Sequence, residues 1–427
     1  MKKYLAKLPK EMRDLICLTG EVAELRRMRV YLVGGFVRDL MLKVKNFDLD
    51  VVVEGDGITF AEDLAARLKA RLIKHHRFCT ATVIAGRGLK IDVATARNET
   101  YPEPAALPVV EPGCVKEDLK RRDFTINAMA IDISGCRYGS LVDFFHGKQD
   151  LAKKKIRILH DKSFIDDPTR MLRAVRFEQR YGFRMEPQTI KLLKAAKRRK
   201  MLEKVQPQRV RDELILMLKE KYPIIHLKRL SSLVGLRFIS PRLKLAAAGM
   251  RLLKAVEEEI NWYKRTYSHR RPLETWLMYL MALTDSLRVP AAQQICKDFA
   301  LRKGEEKRII SLKKLNRKFI LELAKPGLKP SRIFRLLEPL SYETILLAKA
   351  KYRLGAVNRH IEDFLEIYNG MRIYISGNHL RSLGIEPGPV YQKIFTKVLE
   401  AKLNGLIKTE AEELALIKEL TKKTETS

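Results

Sequence analysis

The spacing of apolar and polar positions changes period along the chain. Residues 9–28 carry apolar side chains at helical intervals, which predicts one amphipathic helix ahead of the first strand. Residues 31–150 then alternate. Tyr31-Leu-Val33 reads as a strand, Gly34-Gly35 as a turn and Phe36 onward as a helix start, and residues 47–53 read as a second strand. Residues 61–72 have helical spacing. Residues 80–85 and 89–94 read as paired strands joined by a Gly86-Arg-Gly88 hairpin turn. Prolines between Tyr101 and Gly113 oppose regular structure and predict an extended loop. Residues 128–133 then lead through a turn at Gly135 into residues 138–143. After Asp150 the strand signal fades and helical patterns run to the end, so the pattern predicts an α/β head on an all-helical body. Trp262 and Trp276 sit at helical spacing among leucines and read as core, and only residues 422–427 look frayed.

Charge narrows the partners. In 427 residues, 84 Lys and Arg stand against 51 Asp and Glu, a formal net charge of +33. Such an excess implies a polyanion, RNA or DNA first and an anionic membrane second. A thermophile-like lysine-rich surface would bring matching glutamate, which is missing here. The length allows two to four domains. Five scattered cysteines without Cys-x-x-Cys fit a reducing cytosol and argue against a zinc site or disulfide framework. The N-terminal residues lack the apolar core of a signal peptide. The apolar run at residues 276–283 is too short to span a bilayer.

Candidate chemistry falls into four motifs. Gly34 and Gly35 let backbone approach a phosphate, the following helix start offers free N–H groups, and Arg38 adds a cationic fork for phosphate oxygens. Asp48 and Asp50 alternate on a strand, so their carboxylates share a face with Cα atoms about 6.6 Å apart. That suits two divalent ions roughly 3.5–4 Å apart, as in two-metal nucleotidyl displacement. A tight turn beside an exposed acidic strand end is the plain alternative, and the order Gly-Gly, Arg, Asp-x-Asp weighs against it. Asp92, sharing its face with Lys90 and Ala94, either completes a carboxylate triad or faces solvent. In the second motif Arg121 and Arg122, ahead of a helix, could clamp a triphosphate or RNA phosphates, and Asp123 could bond a ribose hydroxyl. Equally, Asp123 or Thr125 could be a helix N-cap with both arginines solvated. The third motif places Gly147 between Asp-led turns, as a hinge between head and body or a simple turn. In the fourth, Asp167 stands at or next to the cap of a helix that Pro168 can open, and Arg170, Arg173 and Arg176 recur every three residues. At about 100° per residue that row spirals and can wrap an elongated ligand. Asp167 and Arg170 could read a base edge as acceptor and donor, or Asp167 caps its helix and the arginines form weak surface pairs.

Two basic stretches read as RNA contacts. Lys197, Arg198 and Arg199 lie in the run 194–200. Farther on, residues 382–390 form a tight turn between helical segments. Gly388 exposes its amide just before Pro389 opens the second helix, a ready phosphate site, with Arg381 before the turn and Lys393, Lys397 and Lys402 after it.

These motifs, in this order, resemble the class II tRNA nucleotidyltransferase and bacterial poly(A) polymerase family from about residue 30 to residue 218. The resemblance implies an α+β fold: a nucleotidyltransferase α/β head with a mixed sheet, then an all-helical neck, body and tail. The expected segments are an N-terminal helix at 1–29, the head at 30–150, a base-recognising neck at 151–222, the body at 223–370 and an RNA-binding tail at 371–427. The implied reaction is attack of a tRNA 3′-hydroxyl on the α-phosphate of CTP or ATP, with Mg²⁺ and release of pyrophosphate. Asp48 and Asp50 look like its metal ligands, and Gly35, Arg38 and Arg122 like triphosphate and ribose contacts. Asp167 and Arg170 look like the protein template for the base, with Arg173 and Arg176 nearby. Residues 206–214 resemble the family's last motif, on a structural helix, and Asp166 stands where many relatives have Glu. No basic aromatic element of the poly(A) polymerase kind separates the first two motifs, so the tRNA branch is expected. It would be cytoplasmic, with tRNA and nucleoside triphosphates as partners, no membrane and no obligate protein partner. A poly(A) polymerase and a non-catalytic RNA-binding protein on a decayed head are the alternatives, the second disfavoured by intact Asp48 and Asp50. Addition of CCA, CC or A alone stays open.

Overall fold

The computed structural model describes residues 1–45, 48–86, 89–315 and 317–425, and the chain divides into two units, Met1–Phe238 and Ile239–Ser427. Phe47 and the tip of the expected 86–88 hairpin turn lie outside the described residues.

The first unit holds the strands β1 (Arg29–Val33), β2 (Leu49–Glu54), β3 (Arg71–His75), β4 (Thr80–Ile84), β5 (Lys90–Thr95), β6 (Arg97–Thr100), β7 (Val109–Pro112), β8 (Ala130–Asp132) and β9 (Ser140–Val142). Seven join in one sheet in the order β3-β4-β5-β2-β1-β8-β9. Only the β2–β5 pair runs parallel, so the sheet is mixed. Val51, Val52 and Val53 of β2 are all buried, as a strand covered on both faces requires. Tyr31, Val33 and Val52 pack with Val115, Leu119 and Ala128. The helix Gly57–Leu68 buries Phe60 and Leu64. It starts at Asp56, whose carboxylate accepts from the amides of Ile58 (2.9 Å) and Thr59 (3.3 Å).

Three local expectations need correction. The proline-rich stretch is more regular than its composition predicts, because β7 pairs antiparallel with β6. Pro112 stands at the ribbon's end, where a missing amide is tolerated. Strand pairing also persists past Asp150, in a two-residue parallel bridge between Lys155–Ile156 and Arg184–Met185. Gly147 is fixed by packing rather than free to bend. It opens the helix Gly147–Ala152, its amide donates to Asp143 Oδ1 (2.7 Å), and a Cβ there would meet the Thr125 carbonyl oxygen at 2.2 Å. The segments expected as head and neck both fall within the first unit, which runs on to Phe238. Its helix Pro223–Leu233 is tied to the helix Arg170–Tyr181 by Arg229, which donates to both Glu178 oxygens (2.6 and 3.0 Å).

The second unit is helical among its described residues. The helix Thr275–Leu283 is buried from Trp276 to Leu283, which makes the apolar run a core helix. No helix of the described residues is long and apolar enough to cross a membrane. Trp276 is core as expected, whereas Trp262 is half-buried beneath the Lys349 ammonium, 3.7 Å from its ring centroid. Glu343, fully buried, accepts from Arg271 (3.0 Å) and pairs with Arg308 (3.4 Å). Near the C-terminus Ile375, Leu380, Ile394, Val398 and Ile417 form a small core.

Candidate active site

A polar cavity of about 570 Å³ opens in the first unit. β1 delivers the chain to Gly34, whose φ of +66° carries it into the helix Gly35–Met41. A Cβ on Gly34 would lie 2.6 Å from Arg122 Nη1 and 4.0 Å from Asp50 Oδ2. The missing side chain is what lets that guanidinium lie against the turn. Arg38 is buried. Its Nε and Nη2 donate to Asp39 (2.8 and 3.0 Å), Nη1 donates to Asn127, and the guanidinium lies 4.8 Å from the Tyr181 ring centroid. It is therefore a braced cation at the cavity wall rather than a free fork.

Asp48 is exposed just before β2, and Asp50 is half-buried within it. Parallel register sets Asp92 of β5 directly beside Asp50. Burial pushes the Asp50 carboxyl up, Arg122 opposes this, and Asp92 and Asp48 add to it. Asp92 accepts from Thr82 Oγ1 (2.6 Å) and Lys90 Nζ (2.6 Å), so it is not simply solvated. A second cavity of about 380 Å³ meets Asp50 and Asp92 from the side of Thr82 and His75. Among the described residues no group of three or more His, Cys, Asp or Glu could hold a metal ion by itself. The donors nevertheless suit Mg²⁺, which takes hard oxygen ligands and is commonly held by one or two carboxylates plus substrate phosphates. A divalent cation would offset the burial, and with it the like-charged Asp92 and Asp48, that raise the Asp50 carboxyl.

Arg121 and Arg122 close the helix Val115–Lys120 instead of opening a new one. Both grip the fully buried Asp118, Arg121 through Nη2 to Oδ1 (2.6 Å) and Arg122 through Nη2 to Oδ2 (2.9 Å). Burial opposes ionisation of Asp118, but Arg122 and Arg121 outweigh it and hold the carboxyl below the usual range. Asp123 is buried as well. It accepts from the Phe124 amide (2.8 Å), Asn127 Nδ2 (2.8 Å) and Arg173 Nε (2.8 Å), so a ribose hydroxyl could use only a remaining lone pair. The Thr125 hydroxyl donates to Asp150 (2.8 Å) and is not a cap.

The helix Arg170–Tyr181 starts two residues after Pro168, with Thr169 as its N-cap. Asp167 Oδ1 accepts from the Thr169 hydroxyl (2.6 Å) and from Arg209 Nη2 (2.9 Å). Arg170 donates to Ser163 Oγ (2.8 Å) and to the Arg121 carbonyl (2.6 Å). Arg173 bridges Asp123 and Glu213 (2.8 Å), and Arg176 lies between Glu213 (3.4 Å) and Glu220 (3.5 Å). The spiral of arginines exists, but carboxylates brace it.

Glu99, Tyr101, Pro108 and Arg180, which sequence reasoning passed over, and Arg209, read there only as part of a structural helix, also line the cavity. Arg97, Glu99 and Tyr101 alternate, the spacing of one strand face, and the proline-rich reading that begins at Tyr101 hid it. Glu99 accepts from Arg97 (2.9 Å), Arg121 (3.0 Å) and the Tyr101 hydroxyl (3.0 Å). Of the RNA candidates, Lys197, Arg198 and Arg199 are exposed at the end of the helix Pro187–Arg198. Lys197 Nζ donates to the Leu233 carbonyl (3.1 Å), closing a helix end. Arg381, Gly388 and Lys393 are exposed in the second unit, with Gly388 as N-cap of the helix Pro389–Leu403.

Residues 30–157 match the family model described as the Poly A polymerase head domain, and residues 182–246 that described as a probable RNA and SrmB-binding site of polymerase A. The chain is 39% identical over 411 residues to an A-adding tRNA nucleotidyltransferase of Geobacter sulfurreducens, covering 95% of this chain and 46% of that protein, so it spans about half of that relative's length. It is 30% identical to an A-adding tRNA nucleotidyltransferase of Halalkalibacterium halodurans, over 95% of this chain and 92% of that one. A solved structure of a Thermotoga maritima CCA-adding enzyme complexed with tRNA is 32% identical, with a TM-score of 0.76 over 98% of both chains.

Proposed function

The chain belongs to the tRNA nucleotidyltransferase family, and from that premise we propose that it joins AMP, alone or after CMP, to the 3′ end of tRNA without a nucleic-acid template. The two relatives named A-adding favour terminal adenosine. The observation that carries the reading is the charge of the cavity. Eight arginines line it against four carboxylates, Asp50, Glu99, Asp123 and Asp167. A nucleoside triphosphate is the anion such a surplus suits.

Asp48 and Asp50 would hold Mg²⁺, with phosphate oxygens and water completing its shell. The bound ion would supply charge neutralisation at the attacking and leaving oxygens. The tRNA 3′-oxygen forms a bond to the α-phosphorus, the bond to the β-phosphate oxygen breaks, pyrophosphate leaves and the hydroxyl proton is lost to solvent. Arg122 and the braced Arg38 flank the Gly34-Gly35 turn where the triphosphate lies. Both are fixed before it arrives, so little ordering is lost on binding. Asp167 accepts from the base and Arg170 donates to it, and Arg209 fixes the Asp167 carboxylate. Arg173 and Arg176 set the field of the wall. Residues 197–199 and the 381–393 corner contact RNA backbone, and the reaction takes place in the cytoplasm.

The test offers the full chain labelled ATP or CTP with tRNAs ending at the discriminator base, at C or at CC. A single AMP on the CC end is the expected product. CMP on the shorter ends would extend the activity to CCA, repeated AMP on unrelated RNA would make it a poly(A) polymerase, and no incorporation would leave an RNA-binding protein.

A further inference from the structure

We infer that Tyr101, which lines the cavity together with Pro108, is the wall on which the incoming nucleobase stacks, and hence a specificity-determining residue. The inference rests on the cavity being a nucleoside triphosphate site. Most side chains facing that cavity are charged. They can bind phosphates and base edges, yet a nucleobase also has a flat π-face that binds best against another ring. Apolar lining is scarce, and Phe177, Tyr101 and Pro108 supply it. Phe177 is 4% exposed, and guanidiniums already surround its ring, Arg176 at 4.9 Å and Arg38 and Arg173 each at 5.3 Å. Tyr101 and Pro108 remain.

Both stand on the connection between β6 and β7, and that loop is tied down. The Ala105 amide donates to the Ile165 carbonyl (3.0 Å), and the Ala105 carbonyl accepts from Arg209 Nη1 (3.4 Å). These bonds hold Ala105 at a φ of +67°, which alanine rarely adopts unaided. Arg209 is also the residue that bonds Asp167 (2.9 Å). The proposed wall and the proposed edge reader therefore share one anchor. At its other end the Tyr101 hydroxyl donates to Glu99 (3.0 Å), which fixes the side chain where it lines the cavity. Purines present more ring area than pyrimidines, so such a wall favours ATP over CTP.

The probe is 2-aminopurine riboside triphosphate, whose fluorescence falls on stacking, with ATP and CTP as competitors and the full chain without RNA. No turnover is needed. Quenching here with no incorporation in the separate labelled-nucleotide assay on tRNA would sink the proposed reaction and leave the wall standing, while incorporation there without quenching here would do the reverse. Wild type and Tyr101→Phe should quench. Tyr101→Leu should bind without quenching, with the Kd for ATP raised roughly 5- to 100-fold and that for CTP raised less. Tyr101→Met reads the same point should the leucine variant fail to fold. Saturable binding by wild type without quenching overturns the inference. So does a Tyr101→Leu protein that melts normally, still quenches and keeps its ATP affinity.

Discussion

Cationic side chains are deployed in two opposite ways in this molecule. In the cavity of the first unit they are locked. Arg173 lies between Asp123 and Glu213, and Arg38 is chelated by Asp39 and stacked on Tyr181. Around the helix Pro389–Leu403 of the second unit, Arg381, Lys393 and Lys397 are exposed. A locked guanidinium has little rotamer freedom left to lose when an anion arrives, so it selects a ligand geometry. An exposed lysine must be ordered on binding and acts largely through released counterions, which gives a salt-sensitive and sequence-indifferent hold. One arrangement suits a single small anion, the other a long polyanion.

The largest expected effect tests what the locked cations surround. Asp50→Asn and Asp48→Asn should each abolish nucleotide addition while tRNA affinity survives. Asp50→Asn should also melt no lower than wild type, since it removes a carboxylate that burial and the neighbouring Asp92 and Asp48 disfavour. Retained turnover in both variants would undo the metal assignment.

Next comes stability. Arg173→Ala leaves the buried Asp123 without its cation. Breaking a buried pair costs about 3–5 kcal/mol, and partial exposure of Arg173 points to the lower end, about 3 kcal/mol. Lys393→Ala should stay within about 0.5 kcal/mol. Urea midpoints measure both, and equal values would erase the distinction between locked and free cations.

Acid should take away part of the locked region's stability. Arginines hold the carboxyls of Asp118 and Asp123 below the usual range despite burial. A depressed carboxyl contributes stability that is complete above its unfolded pKa, about 3.9, and lost as pH falls through the folded value. Their contribution should be flat from neutral pH to about 5 and fall away below about 4. The destabilisation caused by Asp118→Asn, relative to wild type, should accordingly shrink between urea titrations at pH 7 and pH 3.

The locked region was only half legible in the sequence. A three-residue spacing announced the arginine spiral, a local periodicity, whereas alternation put Asp48 and Asp50 together on a strand that in fact begins only at Leu49. The partners of those arginines were not legible. Glu213 and Glu220 arrive with and just after a later helix, Pro207–Leu218. Asp92 gains its place from the parallel register of β2 and β5, a long-range pairing with no local signature. Arg121 and Arg122 were read ahead of a helix because the one that ends there, Val115–Lys120, is short. In the exposed region the reading of the corner was closer, since Gly388-Pro389 is a local signal and Pro389 does open its helix. Leu383, next to that corner, is 36% exposed.

The smallest effect concerns that corner, and the structure changes how it should be measured. Deleting everything from Ile375 onward would remove the buried cluster of Ile375, Leu380, Ile394, Val398 and Ile417. It would also remove Glu413, which accepts from the Tyr374 and Ile375 amides (2.8 and 3.1 Å) and pairs with Lys402 (2.7 Å). A truncation would therefore report folding as much as binding, and Lys402 is better read as part of that scaffold than as a phosphate contact. Arg381 and Lys393 are exposed, so Arg381→Gln and Lys393→Gln should leave the melting temperature unchanged. If each meets a phosphate, each should lower the log–log salt slope of tRNA binding by about 0.7–0.9 and weaken binding a few-fold. Addition to a short acceptor-stem minihelix should change less than addition to full tRNA, because the chemistry stays with the cavity. A double variant with unchanged affinity and slope would show that exposure alone had been mistaken for a docking surface, and the locked cations would then be the ones on which RNA recognition has to be rebuilt.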